Sequence, residues 1–226
     1  FMTEPLQART SALIVAAGSG LRLGDRPKAL LELEGKTLVE HVAQSVRAFS
    51  SQVIVGVRSE DVARVQPLLG DQVTVLSGGA TRQKTVERLL AVADRDIVLL
   101  HDVARPFASR TLYQSVLQAA LQFGGAAPVL QASTSDSVAF VDGDWLGDTL
   151  PRDRVVCIQT PYAFTRRSLQ RAIRLAKEEG WEETSVTTLL TRAGYKVRLG
   201  VGDLLNSSFS YPIDADDAME RFVIIT

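Results

Sequence analysis

Residues 11–28 read SALIVAAGSGLRLGDRPK, an apolar run that leads into a turn of small residues. A short continuous apolar run is typical of a strand buried on both faces. The alanines and glycines that follow let main-chain N–H groups approach phosphates and a base edge closely. Arg22 and Lys28 add two cations that can stabilise negative charge growing on a phosphorus atom under attack. The pattern predicts a nucleoside triphosphate site behind a buried strand, and the alternative is an ordinary strand-to-helix turn.

Two commoner phosphate motifs fit these residues poorly. The P-loop pattern needs Gly-Lys-Ser/Thr at the start of a helix, and Lys28 has neither that glycine nor the following hydroxyl residue. The dinucleotide pattern matches at Gly18 and Gly20, but Leu23 occupies its third glycine position and Gly24 comes one residue late. The loop is also long, which favours wrapping a triphosphate over a tight pyrophosphate turn.

Composition limits the class of protein. The chain has 226 residues, 46% of them hydrophobic, and a net charge of −1, which does not indicate nucleic acid or an anionic membrane as a partner. Its single cysteine, Cys157, excludes an intrachain disulfide and a cysteine-based zinc site, and we expect it to be a buried apolar side chain. We find neither a membrane-spanning apolar stretch nor a signal-like start, so the expectation is a soluble, cytoplasmic protein.

Apolar runs alternate with helical patterns along the chain. Strands are predicted at 12–15, 53–57, 73–76, 97–101, 125–130, 155–159 and 195–199, and helices at 38–49, 60–69, 82–93, 110–122, 165–179, 187–193 and 215–223. This order predicts a doubly wound, three-layer α/β fold with a mostly parallel sheet, in one domain over residues 10–226. The ligand should lie outside the carboxyl ends of the strands.

A polar insertion at 133–154 interrupts the alternation. Asp142-Gly143-Asp144 separates two short runs that contain apolar residues, and Trp145 begins the second. An Asp-Gly pair in this setting is a strong hairpin signal. Because an isolated hairpin is marginally stable, we expect another subunit to cover it as a dimerisation arm. The alternative is a solvent-exposed loop.

Three further segments are predicted at the same edge of the sheet. Residues 77–85 follow the third predicted strand and open a helix, which would bring the Thr85 hydroxyl to the ligand, although a capped helix alone also fits. Asp102 ends an apolar strand, where a carboxylate can anchor a metal or a hydroxyl group; an ion pair with Arg105 is a compatible alternative. Gln159-Thr160-Pro161 is predicted to lead from a strand into a helix.

Together these motifs resemble the 2-C-methyl-D-erythritol 4-phosphate cytidylyltransferase family of the nucleotidyltransferase superfamily. The motifs are Ala-Ala-Gly-x-Gly-x-Arg at 16–22 with Pro-Lys at 27–28, Gly-Gly-x-x-Arg-x-x-Thr-Val at 78–86, His-Asp-x-Ala-Arg-Pro-Phe at 101–107 and Gln-Thr-Pro at 159–161. The resemblance implies transfer of CMP from CTP to a polyol phosphate with release of pyrophosphate, in the non-mevalonate route to isoprenoids, with Mg²⁺ as the divalent cation.

The resemblance also implies roles for individual residues. Arg22 and Lys28 would stabilise the transition state, and Asp102, with Arg105 beside it, would lie near the acceptor or the metal. In the family a hairpin arm crosses to the partner subunit of a homodimer, and Ser137 and Arg152 occupy its acceptor-binding positions here. The nucleotide would be held by the first loop and by the segment at 77–85, with these residues: Ala16, Ala17, Gly18, Ser19, Gly20, Gly79 and Thr85.

The chain departs from the family pattern near its C-terminus. Glu183-Thr184-Ser185 stands where the family usually has Thr-Asp-Glu, and Ser208 stands where a lysine would help to hold the acceptor phosphate. Lys196 or Arg198 is a possible replacement for that charge. The alternatives are therefore a ribitol 5-phosphate cytidylyltransferase, another sugar-phosphate nucleotidyltransferase, or a nucleotide-binding regulator without catalytic activity.

Overall fold

A computed structural model describes residues 4–18, 27–132 and 137–208. The strands are β1 (Thr10–Val15), β2 (Glu32–Leu33), β3 (Lys36–Thr37), β4 (Gln52–Val57), β5 (Val73–Ser77), β6 (Ile97–Asp102), β7 (Gly125–Gln131), β8 (Val138–Asp142), β9 (Trp145–Leu150), β10 (Val156–Ile158), β11 (Tyr162–Thr165) and β12 (Arg198–Val201). The α-helices are α1 (Leu38–Arg47), α2 (Val62–Leu69), α3 (Arg82–Val92), α4 (Arg110–Phe123), α5 (Arg166–Glu178) and α6 (Val186–Arg192).

The predicted three-layer fold is confirmed. The main sheet has the order β10-β7-β11-β6-β1-β4-β5, and β12 pairs with β7. Strands β6, β1, β4 and β5 are parallel, as is the β12–β7 pair, whereas β11 runs antiparallel to both of its neighbours. One apolar core packs α1, α2 and α4 against one face of the sheet, and a second packs α3, α5 and α6 against the other. The central strands are buried on both faces, as their continuous apolar runs predict.

Side-chain caps fix where the helices begin. In α1 the Thr37 hydroxyl accepts a hydrogen bond from the Glu40 N–H, and the Glu40 carboxylate accepts from the Thr37 N–H, which is a capping box. The Thr37 hydroxyl also donates to that carboxylate at 2.6 Å, and the side-chain and main-chain hydrogen bonds that Thr37 donates lower the pKa of Glu40. In α3 the Thr81 hydroxyl accepts from the Lys84 N–H. Since α3 starts at Arg82, this cap sets the position of the Arg82 side chain at the edge of the sheet.

Two sequence predictions about the second half of the sheet are wrong. The Gln159-Thr160-Pro161 segment leads into β11 rather than directly into a helix; a four-residue strand behind a proline gives little periodicity to detect. Strand β12 begins three residues later than predicted, because the Tyr195 N–H bonds the Leu190 carbonyl at the end of α6. The side chains of Tyr195 and Val197 instead pack against the core. The helix predicted at 215–223 lies outside the described residues.

The predicted hairpin is present as β8 and β9. Asp142 pairs with Trp145 across a two-residue turn in which Gly143 has a φ of 59°, a conformation that favours glycine. Its apolar side chains are open to solvent in the single chain: Phe140 is 60%, Trp145 80% and Leu146 81% exposed.

Cys157 is exposed on β10, so the expectation of a buried cysteine is wrong. It lies on a short strand at the margin of the sheet, where its neighbour Ile158 is exposed as well. A separate expectation concerned membranes: within the described ranges, no helix is both long and apolar enough to cross one.

Candidate active site

The carboxyl ends of four parallel strands meet at one edge of the sheet. There the Ala16 N–H donates to the Gly56 carbonyl at 2.8 Å, and the Val103 N–H donates to the Val15 carbonyl at 3.1 Å. A cavity of about 460 Å³ opens at this edge. Its lining comes from three of the predicted motifs and from the C-terminal segment: Val15, Ala16, Ala17, Gly18, Lys28, Gly79, Ala80, Thr81, Arg82, Thr85, Asp102, Val103, Ala104 and Ser208. The structure thus brings most of the predicted site residues together.

Two glycines allow close packing of the loop after β5, one against the first loop and one against the start of α3. A Cβ atom on Gly78 would lie 2.3 Å from the Cβ of Ala17, and one on Gly79 would lie 2.4 Å from the Cβ of Lys84. A larger residue at 78 would push the two loops apart, and one at 79 would displace the loop from α3. The small residues therefore form a narrow wall of main chain on one side of the cavity, as a site for a flat base requires.

Thr85 organises the second of these loops. Its side chain is buried, and its hydroxyl accepts from the Gly79 N–H at 3.0 Å and lies 3.0 Å from the Thr81 carbonyl, to which it donates. The hydroxyl predicted to face the ligand is thus also bonded to the loop that lines the cavity. Gly79 and Thr85 act as one unit, because a change in either moves the other.

Asp102 forms an ion pair with Arg82, at 2.6 Å between Nη1 and Oδ1. Burial lowers the pKa of the Arg82 guanidinium, but the charge of Asp102 and the hydrogen bond outweigh it and raise the pKa above its ordinary value. The alternative of an Asp102–Arg105 ion pair is wrong, because the Asp102 carboxylate is directed to α3. Arg82 was not among the predicted site residues, although it is the arginine of the Gly-Gly-x-x-Arg motif.

Arg105 is close to this pair without lining the cavity. Its Nη1 donates to the Asn206 carbonyl at 2.5 Å, and its own carbonyl lies 2.9 Å from Nε2 of the buried His101. Burial lowers the pKa of Arg105, and the neighbouring Asp102 charge only partly opposes this effect. Arg105 therefore ties the chain segment around Asn206 to the end of β6.

The cations proposed from sequence have different positions. Lys28 is half-buried and lines the cavity at the start of a short 3₁₀ helix, Lys28–Leu30. Neither Lys196 nor Arg198 lines it; the Arg198 guanidinium lies 5.0 Å from the centre of the Phe123 ring instead. Arg22, Ser19 and Gly20 lie outside the described residues.

The arm residues are also separate from the cavity of their own chain. Ser137 and Arg152 are both exposed, and neither is among the residues that line it. Arg152 begins a 3₁₀ helix, Arg152–Arg154, directly after β9. Any site that Ser137 and Arg152 serve therefore lies near the hairpin and away from the cavity of their own chain.

The carboxylates limit what metal the site can hold. Within the described part of the chain, no three His, Cys, Asp or Glu side chains are grouped to hold a metal ion. Asp102 supplies one carboxylate, already paired with Arg82. Mg²⁺ is commonly held by one or two carboxylates together with substrate phosphates and water. The donors present fit a cation that arrives with a triphosphate rather than one held by the protein alone.

Doubly wound sheets bind nucleotides outside the carboxyl ends of their strands, and here a main-chain wall, a lysine and a carboxylate–arginine pair lie at that edge. This arrangement is that of an α/β nucleotide-binding enzyme. The model of the family described as IspD, 2-C-methyl-D-erythritol 4-phosphate cytidylyltransferase, matches residues 10–222. The chain belongs to this family.

Relatives and solved structures agree with this assignment. The enzyme named 2-C-methyl-D-erythritol 4-phosphate cytidylyltransferase from Thermus thermophilus is 39% identical over 204 residues, which cover 90% of this chain and 92% of the relative. The one from Deinococcus radiodurans is 36% identical, over 86% of this chain and 82% of the relative. The crystal structure of the Thermus thermophilus enzyme superposes with a TM-score of 0.80 at 36% identity, over 93% of this chain and 97% of that one.

Proposed function

We propose that this protein transfers CMP from CTP to 2-C-methyl-D-erythritol 4-phosphate, giving 4-diphosphocytidyl-2-C-methyl-D-erythritol and pyrophosphate. The observation that carries the proposal is the cavity at the carboxyl edge of the sheet, where Lys28, the Arg82–Asp102 pair and the main chain of two loops lie together. Family membership supports the same nucleotide and acceptor.

The base would lie against the main-chain wall formed by Ala16, Ala17, Gly18 and Gly79. Cytosine and uracil differ in whether the 4-position donates or accepts a hydrogen bond. Fixed main-chain groups can discriminate between the two, since a mismatched group leaves a buried donor or acceptor without a partner. The bonds between Thr85 and this loop keep those groups in place.

In the reaction, an oxygen of the acceptor phosphate forms a bond with the α-phosphorus of CTP, and the bond from that phosphorus to the β-phosphate bridging oxygen breaks. The electron pair leaves with pyrophosphate. Little covalent work falls to the protein, so catalysis rests on positioning and on stabilising the charge spread over the phosphoryl oxygens. Lys28 and Arg22 supply that positive charge.

A divalent cation, Mg²⁺, would neutralise the triphosphate when bound. Asp102 is the side chain that would contribute a ligand from the protein, and its pairing with Arg82 holds the carboxylate at the cavity. Asp102 and Arg105 would also border the acceptor.

The acceptor site is proposed to be completed by a second copy of the chain. The exposed apolar side chains of the hairpin, including Val141 at 82% exposure, support a partner that covers them. In a two-fold dimer the hairpin would bring Ser137 and Arg152 to the acceptor phosphate in the partner's cavity.

Ser208 bears on the identity of the acceptor, for which a cytidylyltransferase acting on ribitol 5-phosphate or a related polyol phosphate is the alternative. It lines the cavity where the family usually places a lysine. Losing a cation from a phosphate site weakens binding by about 1 to 3 kcal/mol. The replacement of the family's lysine by Ser208 therefore affects which acceptor is bound rather than which nucleotide.

An activity screen distinguishes these possibilities. Each of the four nucleoside triphosphates is incubated with each polyol phosphate, pyrophosphate release is measured, and the nucleotidyl product is identified by mass. We expect CTP with methylerythritol phosphate to give the highest kcat/KM. Preference for ribitol 5-phosphate would establish the alternative acceptor. CTP binding without turnover on any acceptor would favour a regulator. Where turnover is observed, Lys28→Ala serves as the matched inactive control.

A further inference from the structure

The segment 203–208 reaches the cavity without belonging to a helix or a strand. It carries Ser208 into the lining, yet Leu204 is 79% exposed, and Leu205 is exposed as well. Burial of apolar side chains therefore contributes little to holding this segment in place. Its position depends on hydrogen bonds from elsewhere in the fold.

Gln159 supplies three of these bonds from a single amide group. Its Nε2 donates to the Asp203 carbonyl at 2.9 Å and to the Asn206 carbonyl at 3.2 Å. Its Oε1 accepts from the Asp203 N–H at 3.0 Å. The Gln159 residue is buried, at 4% exposure. Buried bonds of this kind are costly to break, because the groups left behind have no water to replace them.

Neighbouring side chains connect these bonds to the reaction site. The fully buried Asn206 donates from Nδ2 to the Thr160 carbonyl at 2.7 Å. The Thr160 hydroxyl in turn accepts from the Asp102 N–H at 3.2 Å, and Arg105 donates to the same Asn206 carbonyl as Gln159 does. The segment 203–208 is thus joined to the residue that pairs with Arg82.

The backbone before the segment is shaped to admit the Gln159 amide. A Cβ atom on Gly202 would lie 2.8 Å from Oε1 of Gln159 and 2.8 Å from the Val129 carbonyl oxygen. The Gly202 N–H also donates to that Val129 carbonyl, at 2.8 Å. A side chain at position 202 would therefore displace either the amide or the end of β12.

We infer that Gln159 is a positioning residue for the acceptor phosphate: it fixes the segment 203–208, and through it the side chain at position 208, without touching either substrate. This inference rests on the proposed function. The glutamine of the Gln-Thr-Pro motif is required because the segment presents two carbonyl acceptors and one N–H donor to it. An amide matches that set, whereas a carboxylate turns an oxygen toward two carbonyl oxygens.

Gln159→Glu tests the inference, and Gln66→Glu is its matched control. Gln66 makes the same three kinds of bond far from the cavity: Nε2 donates to the carbonyls of Gly70 and Val73, and Oε1 accepts from the Val75 N–H. Gln66 is half-buried rather than buried. We expect Gln159→Glu to raise the KM for methylerythritol phosphate about tenfold, the effect of losing roughly 1.4 kcal/mol of binding, with the KM for CTP within about twofold of wild type. Gln66→Glu should change neither KM.

Two further readouts keep the test independent of folding and of the proposed function. Gly202→Ala leaves Gln159 in the sequence but pushes its amide out of position. If Gln159→Glu does not fold, Gly202→Ala should raise the KM for methylerythritol phosphate in its place. Amide hydrogen exchange at Asp203 should become faster in Gln159→Glu but not in Gln66→Glu, since only at position 159 does repulsion between the new carboxylate oxygen and the Asp203 and Asn206 carbonyls displace the side chain that accepts from the Asp203 N–H.

The outcomes separate the two proposals. A folded Gln159→Glu enzyme with unchanged acceptor KM overturns the positioning role, as does an equal rise in both KM values, which would indicate general destabilisation. Absence of CMP transfer by the wild-type protein to any polyol phosphate overturns the proposed function instead. In that case unchanged exchange at Asp203 would overturn the structural half of the inference, and faster exchange would support it.

Discussion

The two halves of the central sheet are stabilised in different ways. Around β1, β4 and β6 nearly every residue is buried, and residues that follow β1, β5 and β6 line the cavity. Around β10, β12 and the β8–β9 hairpin most residues are half-buried or exposed. Beyond β12, the segment 203–208 is held largely by hydrogen bonds to Gln159, Thr160 and Arg105.

Under the proposed function this difference corresponds to the two substrates, with CTP at the buried half and the acceptor at the exposed half. Parallel strands covered on both faces give rigid carboxyl ends, which suits a site that must recognise one base. The acceptor side depends on a few polar contacts and, as proposed, on a second subunit. It is therefore the side on which single substitutions can change specificity without unfolding the protein.

The largest effect is expected at Lys28, on the rigid nucleotide side. Lys28→Ala should lower kcat by about 10²- to 10³-fold, as does removal of other preorganised groups that stabilise transition-state charge, with a much smaller effect on CTP binding. Arg22→Ala should behave in the same way. Steady-state kinetics and calorimetry of CTP binding measure the two quantities. Lys36→Ala, which removes an exposed lysine bonded to Gln44, is the control. A kcat close to wild type in Lys28→Ala would exclude the transition-state role.

The buried half should also respond to pH through His101. Its ring is fully buried against Tyr113, and burial lowers its pKa from 6.5 to about 4 despite the neighbouring Asp102 charge. The unfolded chain binds a proton below about pH 6.5 while the folded one does not, so stability falls as pH decreases from about 6.5 to about 4. The free energy of unfolding falls by about 3 kcal/mol over this range, at about 1.4 kcal/mol per pKa unit.

Denaturant unfolding of wild type and of His101→Gln at several pH values isolates this contribution. The other acid-sensitive groups are common to both proteins. The difference between their unfolding free energies should therefore shrink as the pH is lowered from about 6.5 to about 4. A constant difference would mean that His101 does not stay neutral in the folded state.

On the acceptor side, Ser208→Lys should lower the KM for methylerythritol phosphate about tenfold and leave the KM for CTP nearly unchanged. The reason is that position 208 lines the cavity and a lysine there adds a charge for the acceptor phosphate. Ser207→Lys, at the exposed neighbouring position, is the control. An unchanged or higher acceptor KM would mean that another cation already serves this phosphate, or that the acceptor is a different molecule.

The smallest signal tests whether the two halves of a site come from two chains. Arg22→Ala and Arg152→Ala proteins are each expected to be nearly inactive. After they are unfolded together and refolded, half of the dimers are mixed, and each mixed dimer has one site with both arginines. Activity should recover to roughly a quarter of wild type per site, by random assortment in a two-fold dimer. A mixture no more active than its parents, with subunit exchange confirmed by mass, would place Arg152 in the site of its own chain.

The buried half could largely be predicted from the sequence. The apolar runs at β1, β4 and β6 give the strands directly, because a strand covered on both faces has no polar positions to obscure it. The sequence predicts the segment 77–85 at the same edge of the sheet as the first loop, and the structure brings Gly78 against Ala17 there. The hairpin was also detectable, since its turn needs a residue such as Gly143 with positive φ.

The second half of the chain's strands could be predicted less well. Strand β11 is too short to show a period, and β12 is displaced by the way α6 ends. Cys157 faces solvent because its strand lies at the margin of the sheet, a position that local sequence does not reveal.

By itself the sequence determined the fold class, the family and the segments that meet at the ligand edge, because local periodicity and short motifs carry that information. Only the tertiary structure decided which groups pair there: Asp102 with Arg82 rather than with Arg105, and Gln159 with Asn206, 47 residues away. Such pairs depend on where separate strands end relative to one another. Packing of the whole core fixes those positions, so no local pattern of residues can specify them.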